Sequence, residues 1–173
     1  MRGERFISST NDYDWLGHGI YFWESNPQRG LDFARERAGR RRGHAKVTDP
    51  AVVGAVIDLG LCLDLTTTAG IDRVKLAFSA LVNIVGRAEP PRPLPENSKD
   101  GLRRNLDCAV VNTLHDILRA SGEPPFDTVK GIFIEGGSAY PGSGFHEKTH
   151  IQICVRDPRS IKGVFRVPQD HLS

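Results

Sequence analysis

The sequence predicts a mixed α+β domain, on three observations. Stretches with strand character occur early in the chain and again in a cluster near its end. Between them lie two long stretches whose apolar residues recur at helical spacing. The resulting order, β, α, β, α, α, β, β, β, lacks the regular alternation of βαβ repeats. At 173 residues the chain has the length of one domain. A chain of this size buries about 70% of its unfolded surface and folds without staples.

The first strand is the apolar, aromatic run Ile20-Tyr21-Phe22-Trp23, preceded by Gly17-His18-Gly19. Glycines before a strand allow a sharp turn or a close approach, and aromatics beside them suit a flat ligand. The same pattern also fits an ordinary core strand behind a turn. Asn26 then Pro27 start a helix, with Asn as N-cap and Pro in the first turn. Leu31, Phe33 and Ala34 form its apolar side, and Gly30 weakens it by roughly 1 kcal/mol against Ala. Glu24 reads as a capping carboxylate near that helix.

Residues 35–46 are basic, with Arg35, Arg37, Arg40, Arg41, Arg42, His44 and Lys46 opposed only by Glu36. Such a run is either a solvated helix face or a phosphate-contacting patch. It contains no aromatic, so it does not stack bases by itself. Residues 52–59 are a strand, and Cys62 opens a short extended piece. Thr66-Thr67-Thr68 supplies an N-cap. Ile71, Val74, Phe78, Leu81, Val82 and Val85 then predict a core-facing helix. Pro90, Pro91, Pro93 and Pro95 mark an irregular loop. Leu102, Leu106, Val110, Leu114, Ile117 and Leu118 predict a second amphipathic helix, stopped at Gly122. The helix pair reads as an insertion in, or a cover over, a sheet. Three strands follow, at residues 129–134, 151–155 and 161–167. The loop before the second of them carries four glycines with Tyr140 and Phe145, a composition that often borders a site.

No run of 18 apolar residues occurs, so no membrane helix is expected. Met1-Arg2-Gly3-Glu4-Arg5 has no apolar core of a signal peptide. Cys62, Cys108 and Cys154 lie far apart among apolar residues and read as buried thiols of a reducing, cytoplasmic compartment. The net charge of +2 is too small to imply a polyanion partner by itself. His18 has no companion at ligand spacing, so no metal is expected. No Ser sits at a nucleophile elbow.

Gly17-His18-Gly19-Ile20-Tyr21-Phe22 resembles the Gly-x-Gly-Ile-Tyr-Phe motif of the poly(ADP-ribose) polymerases and, more loosely, the diphtheria-toxin-like ADP-ribosyltransferases. Ser25-Asn26-Pro27 and the helix bearing Ala34 are similar as well. The resemblance, with a weaker one near the C-terminal end, covers about a third of the chain. It implies a split, mostly antiparallel sheet and NAD+ as substrate. It also implies that Tyr21 stacks on nicotinamide, with Gly17, His18, Gly19 and Phe22 around it. In that family a late strand opens with a glutamate that binds the ribose 2′-hydroxyl. Aligning Pro158 with the family's proline places Gln152 there. Glutamine hydrogen-bonds a hydroxyl but carries no charge for an oxocarbenium-like cation. Either Gln152 binds while Glu147 or Glu135 supplies charge, or NAD+ is held without efficient transfer. His150, on the same strand face, assists or replaces Gln152.

The family's first motif, Arg or His-Gly on an opening strand, has no clear counterpart. Only Arg2 and Arg5 are candidates, and an absent first strand would leave a sheet edge open. The expected activity is mono-ADP-ribosyl transfer to a macromolecule, with a nucleic-acid acceptor suggested by Arg40, Arg41 and Arg42. Bacterial toxins and phage-defence transferases, with an antitoxin-type inhibitor protein, are the analogues. The alternatives are a non-catalytic NAD+ or ADP-ribose binding module, and an interaction domain with no ligand. Replacing Arg40, Arg41 and Arg42 by Ala is expected to lower transfer to a nucleic-acid acceptor and flatten its salt dependence. NAD+ hydrolysis should stay nearly unchanged. Equal loss of both activities would place these arginines at the NAD+ pyrophosphate instead.

Overall fold

The computed structural model describes residues 6–38, 48–90 and 92–172; Arg2, Arg5, Arg40, Arg41 and Arg42 lie outside them. The elements run β1 (Ile20–Trp23), α1 (Pro27–Ala38), β2 (Val53–Ile57), β3 (Cys62–Asp64), α2 (Thr68–Gly86), α3 (Asn105–Ala120), β4 (Thr128–Phe133), β5 (His150–Val155) and β6 (Ile161–Arg166). The α+β class is as the sequence predicts. The strands divide into a four-stranded sheet, ordered β1-β5-β4-β3, and a two-stranded sheet of β2 and β6. All pairings are antiparallel except β3 with β4.

Alternation along the strands gives the larger sheet two apolar faces. One carries Leu63, Val129, Phe133 and Cys154 and is covered by α2 and α3 through Ala77, Leu81, Val110, Val111, Leu114 and Leu118. The other carries Ile20, Ile153 and Val155 and is covered by Ile57 and Ile161 of the small sheet. The helix pair is therefore a cover over one face. β1 is an outer strand, and on its far side the described residues offer only the bridge between Ser9 and Gly19.

Helix starts follow local chemistry. Asn26 Oδ1 accepts from the Arg29 amide at 3.0 Å and caps α1. Thr67 Oγ1 accepts from the Gly70 amide at 3.1 Å and caps α2. The first residue before α3 offers no such cap. Asn97 reaches in from the proline-rich loop, and its Oδ1 accepts from the Leu106 and Asp107 amides at 2.9 and 3.3 Å. Gly30 sits close under Val52, where a Cβ would lie 3.2 Å from its Cγ2 and the neighbour would have to give by a few tenths of an ångström. No helix among the described residues is long and apolar enough to cross a membrane.

Two expectations are corrected. Cys62 is half-buried, and only Cys108 and Cys154 are buried. α2 does not turn all its apolar residues inward: Ile71, Phe78 and Val82 retain 38%, 39% and 39% of their surface.

His115 of α3 is fully buried, with Nδ1 2.8 Å from the Val111 carbonyl. Burial, aided by the Arg156 charge, brings its pKa down to about 4. The folded state thus resists a proton that the unfolded chain accepts near 6.5. Stability is expected to hold above pH 6.5 and to fall from there toward pH 4, by at most roughly 3 kcal/mol from this group. Urea midpoints across that range should decline less steeply in His115→Leu than in the wild type. Parallel declines would show that other groups carry the acid sensitivity.

Candidate functional site

The two motifs singled out in the sequence meet as hydrogen-bonded neighbours. β1 and β5 pair so that Tyr21 lies opposite Cys154 and Trp23 opposite Gln152. Gln152 also pairs with Gly131 of β4. A Cβ at Gly131 would lie 2.6 Å from the Trp15 ring. The absence of one lets that indole lie down on the sheet beside Gln152.

Three side chains then form a directed relay. Trp15 Nε1 donates to Gln152 Oε1 at 2.6 Å. An indole N–H only donates, so the amide oxygen must face it and the amide nitrogen must face His150 Nε2, 3.0 Å away. His150 Nδ1 lies 2.6 Å from the Lys148 carbonyl, which only accepts. The proton therefore sits on Nδ1 and Nε2 accepts from Gln152. Burial lowers the His150 pKa, in keeping with a neutral ring. Protonation would set an N–H against the Gln152 amide and break the relay.

Aromatic rings surround this relay. Trp15 packs on Phe133 at 5.4 Å, Phe133 on His150 at 5.6 Å, and His150 on Trp23 at 6.2 Å. The Arg104 guanidinium lies over Trp15 and Phe133 at 5.0 and 4.6 Å. Trp23 also meets Phe33 of α1 at 5.1 Å, and its buried Nε1 has no hydrogen-bond partner among the described residues.

The glycines and tyrosine of the first motif have structural duties. Gly17 adopts φ +80°, a conformation that favours glycine. A Cβ on Gly19 would lie 2.4 Å from Cys154 Sγ and 2.7 Å from the Val155 carbonyl. The His18 amide donates to Asn112 Oδ1 at 3.2 Å, an atom that also accepts from Arg156 at 3.1 Å. The Tyr21 hydroxyl donates to the Gly17 carbonyl at 2.8 Å and accepts from the Leu16 amide at 3.0 Å. Its ring packs against the main core, and burial holds the phenol far above its ordinary pKa. Burial likewise pushes the adjacent Cys154 thiol up to about 12, leaving it inert. Phe22 points to the opposite face, toward Phe6 and the second core. Phe22 therefore does not join Gln152.

The carboxylates differ sharply. Glu24 does not cap α1; it pairs with Lys130 at 2.9 Å. Glu135 is neutralised by Arg29, at 2.8 Å and largely buried. Glu147 is exposed, and its carboxylate makes no hydrogen bond or ion pair among the described residues. It stands on a polar cavity of about 320 Å³ shared by Arg29, Asp32, Glu36 and Lys148. Gln152 is not part of that cavity's lining; the two are linked only by hydrogen bonds, from the Lys148 carbonyl through His150 to Gln152. Sequence reasoning missed Trp15, Trp23 and Phe133 as neighbours of Gln152. Period-2 alternation carries that signal for Trp23, two residues after Tyr21, but nothing local carries it for Trp15 or Phe133.

Comparison with protein-family models, curated proteins and solved structures gives no match.

Tyr21→Phe removes one hydroxyl, leaves the Leu16 amide without its acceptor and leaves the Gly17 carbonyl only the weak Cys154 thiol contact at 3.6 Å. The expected cost is about 1–3 kcal/mol, read from urea unfolding. An unchanged midpoint would show that the hydroxyl does not hold the turn at Gly17.

Proposed function

We propose that this domain uses NAD+ and transfers its ADP-ribosyl group to a macromolecule. The observation that carries the reading is the β1–β5 pairing, which sets the Gly-His-Gly-Ile-Tyr-Phe strand beside the strand of Gln152. In the reaction the bond between nicotinamide and the ribose C1′ breaks. An acceptor nucleophile bonds to C1′ and gives up its proton, and nicotinamide leaves. Gln152 would hold the ribose hydroxyls, exchanging its internal partners for them. Trp23, with a buried donor to spare beside His150, offers both a ring and an N–H to the nicotinamide end. Glu147 is the carboxylate best free to supply negative charge near the developing cation. Arg40, Arg41 and Arg42 would bind a nucleic-acid acceptor, and a toxin or phage-defence role with an inhibitor partner fits this chemistry.

A second reading, an NAD+ or ADP-ribose binding module without transfer, draws on a separate observation. Gln152 carries no charge, and both ends of its amide are engaged within the protein. Tyr21, for its part, is anchored in the core by its hydroxyl.

Incubation with NAD+ labelled in its ADP-ribosyl part, with cell lysate as acceptor, separates the readings. Transfer predicts nicotinamide release and label in a protein or nucleic-acid fraction. Gln152→Ala should then lower turnover at least about tenfold, a loss of roughly 1.4 kcal/mol in transition-state stabilisation, while its melting temperature moves little. Binding without turnover, seen by calorimetry, would favour the module. Neither binding nor turnover would exclude both.

A further inference from the structure

A second cavity, of about 620 Å³, opens between α2 and α3. Its volume lies within the range of small-molecule sites. Ile71 and Phe78 of α2, Val110 of α3 and Ile132 of β4 form apolar walls, and Trp15 forms part of the lining. Ile71, Phe78 and Ile132 keep 38%, 39% and 49% of their surface, so a substantial apolar area lies open to water. Leaving that area wet costs roughly 25 cal/mol for each Å², and an apolar body that fills the cavity recovers it.

The rim is sparsely charged. It carries Lys75 and Arg104 against Asp107. Among the described residues Lys75 pairs only with Asp72, one turn away and exposed, a contact that water screens strongly. Arg104 donates its Nε–H to the Gly101 carbonyl at 2.9 Å, reaches Asp107 only at 3.9 Å and lies over the Trp15 and Phe133 rings, so no close carboxylate among the described residues neutralises it. The balance favours a single negative charge at the mouth.

We propose that this cavity binds a compact amphipathic anion, with an aromatic or branched apolar body and one carboxylate or sulfonate. Its body lies against Trp15 between the helices, and its charge faces Lys75 and Arg104. The indole it touches is the one whose N–H holds Gln152, so occupancy of the cavity bears on the candidate site. That last step alone rests on the function proposed above; the binding itself does not.

The probe is 1-anilinonaphthalene-8-sulfonate, titrated into the folded protein by fluorescence and calorimetry. Its neutral counterpart, N-phenyl-1-naphthylamine, is the control. Saturable binding at one probe per chain is expected, tighter than the neutral compound by roughly threefold or more. Lys75→Ala should shrink that difference. Val110→Trp, which fills the cavity, should abolish binding. Ser79→Trp, on the exposed rim, should also block it and keeps the test decisive where Val110→Trp does not fold. Absence of saturable binding, or undiminished binding in the folded Trp variants, overturns the site. Equal affinity for the two probes overturns the anionic class. A concentration-dependent dimer in sedimentation that excludes the probe would make this face an interface between copies and overturn the proposal.

Discussion

Gln152 has two hydrogen-bonding ends, and the fold supplies a partner for each. Trp15, 137 residues away in sequence, takes the oxygen, and His150, two residues away, takes the nitrogen. Gln152 is partly buried, so an unmet end of its amide costs at most on the order of 1–3 kcal/mol, and this relay constrains what surrounds it. It requires Gly131 beneath the Trp15 ring. It requires a neutral His150 with its proton on Nδ1. It also requires the 13–17 turn to stay in place, and the Tyr21 hydroxyl secures that turn through Leu16 and Gly17.

The tyrosine and the glycines illustrate how one motif serves two ends. Gly17 and Gly19 let the chain pass between α3 and β5, where any Cβ would strike Asn112, Cys154 or the Val155 carbonyl. Tyr21 fastens that passage from below. The aromatic faces nearest Gln152 belong instead to Trp15, Trp23, Phe133 and His150. A ligand reading for this region therefore places the stacking surface on the tryptophans and His150, with Tyr21 as the support beneath them.

Much of the fold was legible in the sequence. Strand and helix positions follow from period-2 and period-3.6 patterns, and Asn26, Pro27 and Thr67 announce their helices by capping chemistry. What escaped was long-range. Asn97 caps α3 from a separate loop, while the residue just before that helix offers nothing. Glu24 reads locally as a cap, but Lys130 on β4, beyond β5 in the sheet, claims it. Ile71 and Phe78 have helical spacing like any core residue, yet they line the cavity beside α3 and stay more than a third exposed. The contact between Gln152 and His150 was legible because they share a strand face. Trp15 was not, because a contact across 137 residues leaves no local pattern.

The central claim is that the Trp15–Gln152–His150 relay is where NAD+ engages the protein. The chain has two tryptophans, hence two indole N–H signals in an amide correlation spectrum, and Trp15→Phe assigns them. Titration with NAD+ should shift the Trp15 indole signal strongly, as Gln152 exchanges partners, and the Trp23 signal as its free N–H finds one. NAD+ at saturating concentration with both indole signals unmoved would contradict the account.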